Sequence, residues 1–463
     1  MIEVSLDWIA QQTSGQLVGD NANVSGVSTD TRSLVQGDVF IALVGPNFDG
    51  HKFIDEAAKN GAAAFIVSQN IDTHLPYILV EDSKLALGAL GAAVKQKVAP
   101  KTVGITGSSG KTTVKEMVAG ILSRIGNVLA TNGNFNNDIG VPLTLLRLQQ
   151  NHDFAVIEMG ANHLGEIAYT TNLVKPDVAT IVNAAAAHLE GFGSLLGVAR
   201  AKSEIFRGLS SKGTAIINRD SQFSDFWTGK LKECHIQGFS VSQETDFYAQ
   251  DVTLGIDGCA QFMLCTPKGK IHLTLVLPGI HNVGNALVAA GLAMNVGANL
   301  EDIKFGLQNM QQVSGRLQVK QLTNQVKILD DTYNANVASV NAAIDLLSSF
   351  SGYRILILGD MGELGEKARY YHELVGEYAN QKGIDNLVTL GVLSQAASDV
   401  FGGKHFSDIN LLVEHISASL ASEQRDITIL VKGSRSARME RVVKALEESP
   451  VGKFERVRER IAC

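Results

Sequence analysis

Short runs of apolar and β-branched residues alternate along this chain with longer stretches whose apolar positions recur every three or four residues. A run of four to six such residues between turn signals reads as a strand covered on both faces, and the longer periodic stretches read as helices. In the first part of the chain the strand runs are 38–43, 64–68 and 77–80. A helical stretch over 83–97 follows and ends at the breaker Ala99-Pro100. The middle part opens with a strand over 102–106, a glycine turn and a helix over 112–124. Strands at 154–158, 178–183 and 214–218 come next, then a more polar strand-like stretch over 246–277 and a helix near 282–294. The last part repeats strand–helix units whose strands are 326–329, 354–358, 386–390 and 427–431. This alternation predicts an α/β protein with parallel strands joined by crossover helices.

The chain has 463 residues. At roughly 150 residues per domain that length predicts about three domains, and the pattern places their limits at 1–82, 83–314 and 315–463. A composition of 45% hydrophobic and 19% charged residues is that of an ordinary globular protein. The formal net charge of −7 argues against a broad basic face and hence against a nucleic-acid partner. Small anionic ligands remain open, because a local nest and a few cations hold them.

Cys234, Cys259, Cys265 and Cys463 show no C-x-x-C spacing, which predicts reduced thiols and neither disulfides nor zinc. The start MIEVSLDWIA has no basic n-region, and the apolar run 179–187 is too short to span a bilayer. A cytoplasmic protein without membrane insertion is expected.

The strongest chemical signal is Gly104-Ile-Thr-Gly-Ser-Ser-Gly-Lys-Thr-Thr113, between a predicted strand and a predicted helix. Glycines let backbone N–H groups turn inward around phosphate oxygens, and a helix N-terminus adds partial positive charge. Gly107, Ser108, Ser109, Gly110, Lys111, Thr112 and Thr113 therefore read as an ATP-binding loop. Lys111 would reach the β/γ-phosphates and the Thr112 hydroxyl would ligate Mg²⁺. The spacing is tighter than the usual G-x-x-x-x-G-K-[ST], whose first glycine would fall at Ile105.

In an open parallel sheet, ligands gather at the carboxyl ends of the strands. Glu158 closes one predicted strand, and His188 follows another. Both suit a metal beside the γ-phosphate. Magnesium prefers oxygen, so His188 taken alone fits a hydrogen-bonding role equally well.

These residues, taken in order, resemble the Mur ligase family. The matching elements are Gly107–Thr113, Glu158-Met159-Gly160, Asn183 with His188, Ala201–Ile205 and Gly279–Asn282 with Asn285. They continue through Gly315-Arg316, Asp331–Ser339 and Lys432–Arg435, so the resemblance covers essentially the whole chain. One departure is Val337, where the family usually has proline; it touches the stiffness of that loop only.

The resemblance implies a small α/β N-terminal domain, a central P-loop mononucleotide-binding domain on a parallel sheet, and a C-terminal Rossmann-like α/β domain. The runs 28–32, 48–51, 132–137 and 358–365 are similar to the branch of the family that adds D-alanyl-D-alanine to UDP-N-acetylmuramoyl-tripeptide. That likeness implies an acyl phosphate made from ATP, an amine attack upon it, and a monomeric enzyme. Charge would be neutralised by Lys111 and by Mg²⁺, two ions by implication, on Thr112, Glu158 and His188. Lys202, in Ala-Lys-Ser-Glu-Ile, would carry a carbamate and join the metal ligands. Asn282, Asn285 and Arg316 would handle the nucleotide, with Asp331 near the ribose.

By the same likeness Ser28, Thr29, Arg32, Asn47, Gly50 and His51 would meet the uridine diphosphate, and Asn134, Asn136 and Asn137 the sugar and diphosphate. Tyr333, Asn334, Asn336, Asp360, Ser434 and Arg435 would meet the dipeptide, Arg435 as a fork on its carboxylate. Rival readings are another Mur ligase, a folylpolyglutamate synthase-like ligase, or, in a different class, a P-loop switch ATPase.

Overall fold

The structure, a computed structural model, describes residues 1–186, 189–231, 233–311 and 314–449. Three main sheets carry the chain. The first has five strands in the spatial order Gln16–Val18, Tyr77–Leu79, Ala64–Val67, Val39–Ile41 and Val27–Ser28. Its neighbours pair in parallel except the first pair. Successive side chains of a strand point to opposite faces, and here both faces are buried. Val39, Ile41, Ala64, Ile66 and Ile78 enter one core, while Phe40, Ala42, Phe65, Val67 and Tyr77 enter the other. That double burial is why these strands read as continuous apolar runs.

The helix Ser83–Val98 starts where Asp82 accepts the N–H groups of Lys84 and Leu85 at 2.7 and 2.9 Å. Its Leu87, Leu90 and Val94 pack with the N-terminal sheet and also with Val141 and Leu145 of the following unit. The expected limit at 82 thus falls on a helix cap, and the helix itself belongs to the core of both units.

The central sheet has nine strands. Val128–Ala130, Phe154–Glu158, Lys101–Thr106, Val178–Ile181, Thr214–Asn218, His235–Ser240 and Phe247–Leu254 pair in parallel. The polar stretch after 246 resolves into three strands, with Cys259–Thr266 and Gly269–Pro278 added antiparallel. Lys101–Thr106 lies between Phe154–Glu158 and Val178–Ile181, so the chain goes first to one side of it and then to the other. A crevice opens at such a switch point, outside the carboxyl ends of the strands.

The last sheet has six strands in the order Gln318–Gln321, Val326–Asp331, Ile427–Lys432, Tyr353–Gly359, Asn386–Leu390 and Lys404–Phe406. All pairs but the first are parallel. The final strand in sequence, Ile427–Lys432, is inserted at the centre and is buried along its whole length. No helix among the described residues is long and apolar enough to cross a membrane.

The phosphate-loop helix, Lys111–Leu122, is held from behind by the helix Leu300–Gln308. The approach is close because Gly306 has no side chain: a Cβ there would lie 2.5 Å from the Ile121 Cα and 2.6 Å from its N. Backbone cannot yield as a flexible side chain can, so Gly306→Ala should cost about 1–3 kcal/mol, the usual range for overpacking. A thermal melt should show a lowered midpoint; an unchanged one would mean the helix pair tolerates separation.

Candidate active site

The loop leaves Lys101–Thr106, turns through Gly110 at φ 77°, and enters its helix at Lys111. A side chain at Gly110 would be strained and would meet the Asn285 Oδ1 at 2.8 Å. The Ser108 and Ser109 N–H groups donate to Asn183 Oδ1 at 3.1 and 3.0 Å, which pins the loop to the end of the next strand. Lys111 Nζ donates to the Gly107 carbonyl at 2.9 Å. Burial pushes the Lys111 pKa down, Glu158 opposes that, Arg316 adds to it and Glu363 opposes it again.

The Thr112 hydroxyl donates to Glu158 Oε2 at 2.9 Å and accepts from Arg316 Nη2 at 3.2 Å. Glu158, almost fully buried, takes the Asn136 Nδ2 on its other oxygen at 2.8 Å. Its backbone N–H is held by the Thr131 hydroxyl at 3.0 Å. A hydroxyl and a carboxylate therefore present two hard oxygens side by side. No group of three or more His, Cys, Asp or Glu able to hold a metal occurs among the described residues. A partial oxygen set of that kind suits Mg²⁺, which keeps waters and substrate phosphates in its shell. His188 lies outside the described residues.

Three cavities meet at Lys111 and Asn334, which line all of them. The first extends from the phosphate loop past His281, Asn282, Asn285 and Leu317 to Asp331 and Lys432. Asn285 donates to Asn282 at 2.8 Å, and Asn282 donates to the Pro278 carbonyl at 2.8 Å, so the two are fixed as a pair. Arg316 stacks over the Tyr333 ring at 4.1 Å. Asp331 is ion-paired to Lys432, whose ammonium also donates to the Asn334 carbonyl at 2.9 Å.

The second cavity, of about 730 Å³, is lined by Asn134, Asn136, Asn137, Glu158, Lys202 and Tyr333 among others. Lys202 is 1% exposed and has no hydrogen-bond acceptor among the described residues; its Nζ lies 5.9 Å over the Phe192 ring. Burial, and then the nearby Lys111 ammonium, hold its pKa well below the usual lysine range. The third cavity runs between Asn336, Gly362, Glu363, Ser434 and Arg435. Asn336 caps the helix Val337–Ser349 in a capping box with Ser339, and its Nδ2 donates to the Ser108 carbonyl at 3.3 Å. Val337 is the first helical residue, a position where proline is common, and here the capping box supplies the rigidity.

Two expected groups sit apart from this convergence. Ser28, Thr29, Arg32, Asn47, Gly50 and His51 line none of the three cavities. The Arg32 guanidinium is forked onto its neighbour Asp30, and His51 is held between Asp49 and the Ser68 N–H. Asp360 turns its carboxylate to the N–H groups of Val392, Leu393 and Ser394 at 2.8–3.1 Å and lines none of these three cavities. Glu363, three residues on, lines two of them. Sequence reasoning passed over Glu363, Asn183 and His281 as site residues, although each stands inside a run that carried the resemblance.

A phosphate loop, a magnesium-ready oxygen pair and two further cavities sharing one lysine define an ATP-using enzyme with a composite site. The comparisons agree over nearly the whole chain. Models described as the Mur ligase family catalytic domain, the Mur ligase middle domain and the Mur ligase glutamate ligase domain match residues 23–108, 105–293 and 315–435. The chain belongs to the Mur ligase family and is an ATP-dependent ligase of peptidoglycan precursor synthesis. It is 49% identical, over 97% of its own length and 99% of the relative's, to the UDP-N-acetylmuramoyl-tripeptide–D-alanyl-D-alanine ligase of Escherichia coli K12.

The enzyme of that name from Bacillus subtilis 168 is 34% identical over 97% of this chain and 100% of the relative. Among solved structures, MurF from Acinetobacter baumannii superposes with a TM-score of 0.92 at 37% identity, over 96% of this chain and 98% of that one. MurF from Thermotoga maritima, solved with ADP, gives 0.82 at 28% identity over 92% and 97%. The three-domain α/β fold is shared throughout.

Lys111 is the cation at the meeting point of all three cavities. Lys111→Ala should lower kcat by at least roughly 10²-fold, as loss of one transition-state donor does. Near-normal kcat in a steady-state assay would remove Lys111 from the chemistry.

Proposed function

We propose that this enzyme joins D-alanyl-D-alanine to UDP-N-acetylmuramoyl-tripeptide in the cytoplasm, as a monomer. The observation that carries the reading is the convergence of three cavities on Lys111 and Asn334. One suits a nucleoside triphosphate, one a long polar acceptor and one an amine. In this reading residues 1–82 hold the uridine diphosphate, 83–314 the ATP and 315–463 the dipeptide. The N-terminal cluster around Ser28, Arg32 and His51 then serves the far end of a substrate whose carboxylate lies near Lys111.

A carboxylate is a poor electrophile, so activation comes first. An oxygen of the tripeptide carboxylate attacks the γ-phosphorus, the bond to the bridging oxygen breaks, and ADP leaves. The dipeptide amine then attacks the acyl carbon, phosphate departs with the former carboxylate oxygen, and the amine gives up a proton. The protein's part is positioning and charge neutralisation. Lys111 faces the charge moving onto the leaving phosphate, Asn136 and Thr112 orient Glu158, and Arg316 holds the Thr112 hydroxyl. Mg²⁺ on Thr112 and Glu158, when bound, supplies further neutralisation of phosphate charge. Ser434 and Arg435, in the third cavity, suit the dipeptide carboxylate.

Phosphate release measured with Mg²⁺ should be sustained only when both the UDP-linked tripeptide and D-alanyl-D-alanine are present. Equal turnover with ATP alone would sink the ligase chemistry and favour a switch ATPase.

Lys202 is proposed to carry a carbamate. An ammonium has donors and no acceptor, whereas a carbamate has two anionic oxygens of the kind Mg²⁺ uses. The depressed pKa supports this, because only a neutral amine attacks the carbon of CO₂, forming the N–C bond and losing one proton. As pH rises through that depressed pKa the neutral fraction rises. With ¹³C-bicarbonate, a protein-bound carbamate signal should therefore grow with pH, saturate below the range of ordinary lysines, and vanish in Lys202→Met. Lys202→Ala should be nearly inactive and partly rescued by a short carboxylic acid. Rescue by a small amine, and not by acetate, would make Lys202 a plain cation.

A further inference from the structure

The turn from Gly359 to Gly365 joins the end of a central strand to the third cavity, and its backbone is fastened at three points. The Asp360 carbonyl accepts the Ser434 N–H at 2.9 Å. The Asp360 carboxylate gathers the N–H groups of Val392, Leu393 and Ser394. The third fastening is His372, in the helix Ala368–Gln381, whose side chain is fully buried. Its Nε2 accepts the Met361 N–H at 2.9 Å, and its Nδ1 lies 2.7 Å from the Ala368 carbonyl oxygen. A carbonyl oxygen only accepts, so Nδ1 carries the proton and Nε2 is the bare acceptor.

Beyond Met361, whose side chain is buried, the chain reaches Glu363 at φ 61°. That left-handed conformation is uncommon for a residue with a side chain and persists only where the surroundings impose it. Its consequence is direction. Glu363 lines the cavity beside Ser434 and Arg435 and also the one beside Lys202, and its charge acts on Lys111. The carboxylate of Asp360, the residue directly after the strand end, is engaged by the loop at 392–394. Glu363 is thus the carboxylate of this turn that faces the reaction space.

We infer that His372 is a positioning residue for amine binding: through the Met361 N–H it holds the left-handed turn that presents Glu363 to the ammonium of the incoming dipeptide. This rests on the proposed reading that the third cavity takes the amine substrate. The opposite ends of a zwitterionic dipeptide then find opposite charges, its carboxylate at Arg435 and its ammonium at Glu363. The imidazole works in its neutral form, and burial lowers its pKa in keeping with that.

Two substitutions separate the two hydrogen bonds of the ring. In His372→Gln the amide oxygen reaches the Nε2 position and still accepts from Met361. In His372→Asn the amide reaches only the Nδ1 position and keeps the Ala368 contact alone. Steady-state kinetics with each substrate varied in turn should show the dipeptide KM raised about tenfold or more in His372→Asn, the loss expected for one charge-assisted contact. The KM values for ATP and the UDP-linked substrate should stay close to wild type, and His372→Gln should restore most of the dipeptide KM. Glu363→Gln should raise the same KM, and the double variant should be no worse than the poorer single one, because both act through one carboxylate.

Additive effects would overturn the inference, as would a His372→Asn defect spread evenly over all three KM values. If His372→Asn fails to fold, Glu363→Gln decides, and an unchanged amine KM ends the proposal. A wild-type enzyme that ignores the dipeptide but uses another amine would sink the substrate reading alone. The coupling of His372 to Glu363 would then be measured with that amine.

Discussion

Two lysines share one desolvated space, and much of the site follows from that. Lys202 is buried and Lys111 half-buried, and each is made harder to charge, Lys202 in part by Lys111 itself. Like charges in a low-dielectric pocket repel far more than they do in water. Glu158 offsets some of this for Lys111, but its oxygens are already engaged by Thr112 and Asn136. Glu363 offsets more of it, and Glu166 and Glu440 line the same cavity. A bound phosphate would relieve the repulsion between the two ammonium groups, and so would a carbamate, which turns Lys202 from a competing cation into an anion.

The sheets owe their legibility to double burial. Runs such as 154–158 and 386–390 are largely apolar because both of their faces are buried, and they match the observed strands residue for residue. What the local pattern does not carry is pairing order. Nothing in Ile427–Lys432 says that it enters between strands about seventy to a hundred residues earlier, since that depends on non-local crossover geometry. The antiparallel end of the central sheet was visible only as a polar change over 246–277, where one face of the ribbon meets solvent.

The site was legible in proportion to how much its chemistry depends on local backbone. The phosphate loop is coded by Gly110, Lys111 and Thr112 over a few positions, so the order of strand, glycine turn and helix locates it even though its spacing is tighter than usual. Asp360 and Glu363 show the opposite case. A strand end tells which residues are near the crevice, but not which way a side chain leaves the turn. That choice is made by the φ of Glu363 and by partners more than ten residues away, at His372 and at 392–394. Arg316 is similar, because its reach to Thr112 crosses two hundred residues of sequence.

The three units are not joined alike. One apolar core runs from Ile2 and Leu6 through Leu87 and Leu90 to Val141 and Ile167, so the N-terminal and central units share buried surface. The core clusters of the last unit contain only residues from Leu317 onward. Its ties to the phosphate loop are polar ones, Arg316 to the Thr112 hydroxyl and Asn336 to the Ser108 carbonyl. Apolar burial holds elements in one arrangement, whereas such hydrogen bonds are individually worth little and exchange readily with ligand or water. The groups that Arg316 and Asn336 hold are also the groups a bound nucleotide and its metal would address. The hydrogen bonds that tie the last unit to the phosphate loop therefore end on the same few atoms that a nucleotide and its metal would use.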